Sequence, residues 1–313
     1  MKKGRKEEQP EGKKNVKVVY NTKLGKYYHG KVEDVLGSKK FSTTYKGKIN
    51  LIFTSPPFPL NKKKKYGNKQ GDEYLEWLSD LAILFNVFLA PKGSIVIEIG
   101  NAWTSGSPTM STLPMKALLK FLEKGKLELC QQFIWYNTAK LPTPAEWVNI
   151  RRIRVKDAFT NIWWMSKTAY PKASNRRVLK AYSDSMKSLL KRQKYNSGNR
   201  PSQHNINKTS FLKENKGAIP PNVISSPNTF IDKNYQEYCE KNNLPLHPAR
   251  MPLSLAEFFI NFLTTKNDLI LDPFGGSNTT GKAAEELGRK WISIETKKEY
   301  ILGSKGRFRI KQF

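Results

Sequence analysis

Ile49-Asn50-Leu51-Ile52-Phe53-Thr54-Ser55-Pro56-Pro57-Phe58 is a run of apolar and β-branched residues that stops at a hydroxyl, two prolines and an aromatic ring. Residues 49–54 predict a buried strand, and the proline pair must end it, since each proline removes a ladder donor and fixes its own φ. Ser55 then stands at the strand's carboxyl end, which in an open α/β sheet is the edge where ligands bind. A rigid Pro-Pro turn there can aim carbonyl oxygens and the Phe58 ring at one flat substrate. Ser55, Pro56, Pro57 and Phe58 are therefore the candidate catalytic residues. Alone, a Ser-Pro-Pro is more often a surface turn.

A second stretch, more than two hundred residues later, changes that balance. Leu269-Ile270-Leu271-Asp272-Pro273-Phe274-Gly275-Gly276-Ser277-Asn278-Thr279-Thr280-Gly281 reads as strand, glycine loop and helix start. Glycines let backbone approach a ligand closely, and the first amides of a helix are unsatisfied. A further strand, Trp291-Ile292-Ser293-Ile294, ends in Glu295, some twenty residues after the glycines. An acid at that spacing is the usual partner of ribose hydroxyls in a mononucleotide-binding βαβ unit. Asp272, Pro273, Phe274, Gly275, Gly276, Ser277, Asn278, Thr279 and Glu295 are the candidate cofactor-binding residues.

Ser55-Pro56-Pro57-Phe58 and Asp272-Pro273-Phe274-Gly275-Gly276-Ser277 resemble the catalytic and cofactor motifs of the DNA amino-methyltransferases that use S-adenosylmethionine. Their order, catalytic motif first, is similar to the β class. Lys140-Leu141-Pro142, Glu146-Trp147-Val148-Asn149, Arg154-Val155-Lys156-Asp157-Ala158, Arg200-Pro201-Ser202 and His247-Pro248-Ala249-Arg250 extend the resemblance to its cytosine-N4 members, from about Val18 to Phe308. The resemblance implies an α/β fold: a circularly permuted Rossmann-like sheet with helices on both faces, plus a smaller basic target-recognition lobe. It implies S-adenosylmethionine as cofactor, double-stranded DNA as substrate, and methylation of a flipped cytosine, with a restriction endonuclease as functional counterpart. The chain departs from the pattern at Gly30-Lys31, where relatives carry Gly-Asp. It also departs at Asn278, where many have a third glycine, and at Gln203.

Composition points to the same partner. Lys and Arg number 55 against 26 Asp and Glu, a formal charge of +29, and a polyanion is the economical explanation. Between Thr168 and Lys216 there are 12 basic and 2 acidic residues. Lys62, Lys63, Lys64 and Lys65 directly follow the catalytic turn. These lysines, with Arg176, Arg177, Lys180, Arg200, Ser202 and His204, are the candidate DNA contacts. Arg151, Arg152 and Arg154 read equally as phosphate clamps or as an exposed basic edge.

The 313 residues allow one large α/β core plus a lobe. Cys130 and Cys239 lack metal-ligand spacing, and His29, His204 and His247 are scattered, so no metal site is expected. With no apolar stretch of membrane-spanning length and no signal peptide, the expectation is a cytoplasmic protein without a membrane partner. Residues 1–14 read as a charged arm and 15–167 as the first part of the catalytic domain. Residues 168–246 read as the target-recognition region and 247–313 as the cofactor-binding part. Apolar spacing predicts helices over Asp72–Leu89, Thr112–Lys124 and Leu253–Thr264. It predicts strands at Val16–Tyr20, Ser94–Ile99, Leu129–Trp135 and Ala158–Met165, with Trp163 and Trp164 divided between core and sheet face. Two other readings stay open: an adenine-N6 methyltransferase on the same fold, and a non-catalytic DNA-binding relative.

Overall fold

The structure is a computed structural model that describes residues 16–58, 71–229 and 232–308. Residues 1–14 and Lys62–Lys65, read above as an arm and as DNA contacts, lie outside the described residues. Strands β1 (Lys17–Asn21) and β2 (Gly25–His29) form a hairpin, and helices α1 (Val32–Gly37) and α2 (Lys39–Tyr45) lead to β3 (Ile49–Thr54). Then come α3 (Gly71–Phe88), β4 (Leu89–Gly100), α4 (Leu113–Gly125), β5 (Glu128–Tyr136) and β6 (Phe159–Ser166). The polar stretch holds α5 (Asp184–Arg192), the two-residue strands β7 (Gly198–Asn199) and β8 (Asn205–Ile206), β9 (Val223–Ser225) and α6 (Lys233–Lys241). The chain closes with α7 (Leu253–Leu263), β10 (Leu269–Asp272), α8 (Thr279–Glu286), β11 (Lys290–Glu295) and α9 (Lys298–Ser304).

Nine strands make one mixed sheet in the order β1-β2-β11-β10-β3-β4-β6-β5-β9. β2, β11, β10, β3 and β4 run parallel, whereas β6 is antiparallel to both neighbours. The last two long strands of the chain thus insert between β2 and β3. This sets Asp272 beside the end of β3, with Leu271 opposite Ile52.

Strands this central are covered on both faces, which is why β3 reads as continuous apolar sequence rather than as an alternation. Ile49 and Ile52 pack with α1, α3 and α4, while Leu51 and Phe53 pack with α7 and α8. Phe259 of α7 sits against Phe53 and Phe133, with ring centroids 5.5 and 5.1 Å away. Trp163 and Trp164 are not divided between core and sheet face: both are buried, one in each layer. Trp164 can be buried because its Nε1 donates to Ser94 Oγ at 2.9 Å.

The polar stretch 168–246 is partly continuous with the main body. β9 extends the sheet beside β5, pairing Trp135 with Ile224, and α6 buries Tyr235 and Cys239. Arg307 bridges Asp232, just before α6, at 2.8 Å, with both side chains buried. Among the described residues no helix is long and apolar enough to cross a membrane.

Trp291 lies across from Gly25 in the sheet and stacks on Phe308 at 5.3 Å. A Cβ at Gly25 would overlap its indole, whereas one at Gly37 meets nothing within 4 Å. Gly25→Ala should therefore lower the unfolding free energy by about 1–3 kcal/mol or more, as overpacking does. Gly37→Ala should change it by no more than about 0.5 kcal/mol. Urea titration of the two variants checks this; equal effects would remove the steric account.

Candidate active site

Ser55, Pro57 and Phe58 are half-buried and Pro56 is buried, at the carboxyl end of β3. The Phe58 ring lies over the end of β4, where a Cβ at Gly100 would come within 3.0 Å of it. The Ser55 hydroxyl hydrogen-bonds to the carboxylate of Glu98, also on β4, which is 4% exposed. Burial pushes the Glu98 carboxyl above the usual carboxylate range, and the Ser55 hydrogen bond and the nearby Lys140 ammonium work against the rise. A serine backed by a buried, basic carboxylate can accept a proton and pass it on.

Asn101, just past β4, secures the same corner. Its Nδ2 donates to Asp157 Oδ1 at 2.8 Å and its Oδ1 accepts from Asn161 Nδ2 at 3.0 Å. Asp157 also accepts from Trp103 Nε1 at 3.4 Å. Glu98 and Asn101 were not picked out from the sequence. The signal was present: one acid inside Ile95-Val96-Ile97-Glu98-Ile99 cannot sit in a central strand without a partner or a task.

The glycine loop forms the other half of the site. Asp272 is 3% exposed and accepts from Thr54 Oγ1 at 2.8 Å, Thr280 Oγ1 at 2.6 Å and the Phe274 amide at 3.1 Å. Burial pushes its carboxyl up to about 6, with the Thr280 and Thr54 hydroxyls opposing the shift. Gly276 has φ +50°, and a Cβ on it would come 2.9 Å from His247 Nε2. Only glycine suits both the angle and the space. Its amide donates to Glu295 Oε2 at 3.1 Å and its carbonyl accepts from the Tyr27 hydroxyl at 2.8 Å. Glu295 Oε1 accepts from the amides of Thr296 at 2.8 Å and Lys297 at 2.9 Å. Phe274 meets Trp77 edge-on at 5.6 Å, and the Trp77 Nε1 donates to Glu33 Oε1 at 2.6 Å. Lys31 takes the N-cap place of α1.

Asp272 thus meets Thr54, next to Ser55, while the turn at Gly276 meets Glu295 at the end of β11, two strands from β3. Ser277, Asn278 and Thr279 also have places within the fold. Asn278, in the left-handed region at φ 61°, caps α8 by accepting from the Gly281 amide at 3.1 Å. It also accepts from Ser293 Oγ and donates to the Tyr20 hydroxyl. Ser277 accepts from Arg307 through its carbonyl at 2.5 Å and its hydroxyl at 3.0 Å, and Thr279 is buried. Tyr27, Thr54 and His247 support the loop, a role that only the folded chain reveals.

Of the expected DNA contacts, Arg176, Arg177 and Lys180 are exposed. The Arg177 guanidinium also donates to the carbonyls of Asn261 at 2.6 Å and Phe262 at 2.7 Å and tethers this stretch to α7. Arg200 donates to the Asn196 carbonyl, and its amide bonds the His204 carbonyl across a turn that exposes Ser202 and His204.

A family of DNA methylases matches residues 49–305. The chain is 43% identical over 294 residues to the type II methyltransferase M.PvuII of Proteus hauseri, covering 93% of this chain and 86% of that one. Its fold is similar to the solved PvuII DNA methyltransferase (cytosine-N4-specific), with TM-score 0.75 and 37% identity, covering 96% and 91% of the two chains. A complex of M1.HpyAVI with SAM has the same fold at TM-score 0.55 and 22% identity, covering 92% and 100%.

The Asp272 carboxyl titrates near 6 in the folded chain and near 3.9 when unfolded, so the folded protein holds a proton through the window between them. Its contribution to stability is fully present below about pH 4 and lost by about pH 6, on the order of 3 kcal/mol. Asp272→Asn should remove this decline. Urea titrations from pH 4 to 7 test it: a pH-independent difference between wild type and variant would show that Asp272 titrates normally.

Proposed function

We propose, from the premise that this chain belongs to the N6/N4 DNA methylase family, that it methylates the exocyclic N4 of a cytosine flipped out of duplex DNA. The methyl donor in this reading is S-adenosylmethionine. The observation that carries it is the Ser55 hydroxyl, backed by buried Glu98, at the mouth of the Pro-Pro-Phe turn.

The lone pair of the cytosine amine is delocalised into the ring, so the nitrogen must be drawn toward tetrahedral geometry before it can attack. Acceptors aimed at its hydrogens do this. Ser55 Oγ and the Pro56 carbonyl suit that role, and the Phe58 ring suits stacking on the base. When N4 takes up the methyl group it must lose one proton. Ser55 accepts that hydrogen while Glu98, made more basic by burial, takes up the hydroxyl proton. No covalent bond to the protein forms.

Bound S-adenosylmethionine would supply an activated methyl group on a cationic sulfur. The residues present fit it: the Glu295 carboxylate would accept from ribose hydroxyls, and Phe274 with Trp77 offers an apolar wall. We read the fold as a circularly permuted Rossmann-like methyltransferase sheet, because β10 and β11 end the chain yet lie inside the sheet. Residues 168–246 act as the target-recognition region, with Arg176, Lys180, Arg200, Ser202 and His204 toward DNA and Lys62–Lys65 as further phosphate contacts. The same reading makes the protein the cytoplasmic modification partner of a restriction endonuclease.

Incubation with labelled S-adenosylmethionine and duplex DNA, followed by digestion to nucleosides, should yield N4-methylcytosine. N6-methyladenine would favour the adenine reading, and absence of label would sink both. Ser55→Ala should lower turnover by about 10²–10⁴-fold with cofactor affinity by calorimetry nearly unchanged, because the acceptor acts as the amine changes geometry. Parallel losses in turnover and affinity would assign Ser55 to cofactor binding instead.

A further inference from the structure

The loop from 137 to 158 joins β5 to β6 and exposes an unusual surface. Ile150-Arg151-Arg152-Ile153-Arg154-Val155-Lys156 alternates apolar with basic residues and is exposed throughout. Ile150 is 70% exposed, Val155 87%, and Leu141, on the other limb of the loop, 76%.

This exposure belongs to a built scaffold. The Val148 amide bonds the Pro144 carbonyl at 3.0 Å, and those of Ile153 and Arg154 bond Trp147 at 2.9 and 3.2 Å. The Asp157 amide reaches the Thr143 carbonyl at 2.9 Å, closing the neck. Arg151 pairs with Glu146 at 2.8 Å and lies 5.5 Å from the Trp147 ring. Arg154 Nε donates to the Pro108 carbonyl at 3.0 Å, bracing the loop against the stretch after β4. Apolar side chains held outward on a braced loop mark a surface made for a partner.

Two observations identify the partner. The base of the loop is part of the catalytic corner, since Asp157 binds Asn101 and Trp103 while Thr160 pairs with Gly100 on β4, two residues beyond Glu98. The four cations among the apolar residues complement a polyanion, and they would face one another in a two-fold contact between copies of this chain.

We propose that this loop is the wedge that opens the duplex. Ile150 and Val155 enter the stack where the target base has been withdrawn, and Arg152 and Lys156 hold the flanking phosphates. A base that leaves the helix takes its stacking with it, and apolar side chains between base steps replace that contact. The inference rests on the base-flipping reading above and adds the element that performs it.

The test uses the full chain with Ile150 and Val155 both changed to Ser, which alters only exposed positions. Two duplexes carry a sequence at which the wild type places its methyl group. In one the target cytosine is paired with guanine, and in the other it stands opposite an abasic position, where leaving the stack is already cheap. The single-turnover rate of the variant should fall about tenfold or more on the paired duplex, and most of that loss should disappear on the abasic one. Equal loss on both duplexes, or on neither, overturns the wedge. A wild type that dimerises in sedimentation while the variant is monomeric assigns the surface to a second copy and overturns it too. A wild type that labels no cytosine in the nucleoside digest used to find that sequence overturns the functional reading itself, a failure distinct from that of the wedge.

Discussion

Asp272 takes hydrogen bonds from Thr54 at the end of β3 and from Thr280 in the first turn after the glycine loop. One buried carboxylate therefore joins two segments that are 218 residues apart in the chain. Its burial makes the charge expensive, which is why three donors converge on it. That bond adds to the β3–β10 pairing in holding the Ser-Pro-Pro turn against the glycine turn. A methyl transfer needs both, because donor and acceptor must be held in line.

A second buried carboxylate, Glu98, lies on the other side of β3. It occupies a strand whose neighbours in sequence are isoleucines and valine, and its partner is the candidate catalytic hydroxyl. The two acids lie toward the carboxyl ends of β10 and β4, the parallel strands that flank β3, at the edge of an α/β sheet where loops diverge and a crevice forms. The loop with Ile150 and Val155 rises from the same edge, so the chemical centre and the proposed duplex-opening surface share one foundation in Asn101 and Asp157.

Much of the fold was legible because the periodicities were strong. α3, found over Gly71–Phe88, matches the apolar spacing from Leu75 to Leu89, and β3, β10 and β11 fall on the apolar runs that precede the motifs. Elements with weak patterns were missed. α1 and α2 are six and seven residues long and lie between stronger signals, and β9 has three residues in a polar stretch. Trp163 and Trp164 were misjudged because adjacent residues on a strand point to opposite faces, and a sheet covered on both sides buries both.

By itself the sequence determined the class of the protein: a proline pair must end the strand at Ser55, glycines must allow a close turn at Gly276, and a large excess of positive charge implies an anionic partner. These are local or additive properties, carried by backbone geometry and net charge. Tertiary structure alone decided which intramolecular partners the polar groups take. Asn278 and Ser277 bond Gly281, Ser293, Tyr20 and Arg307, and Arg177 bonds α7. It also selected Glu98 as the partner of Ser55, because hydrogen bonds between residues distant in the chain depend on strand order, which no local spacing encodes.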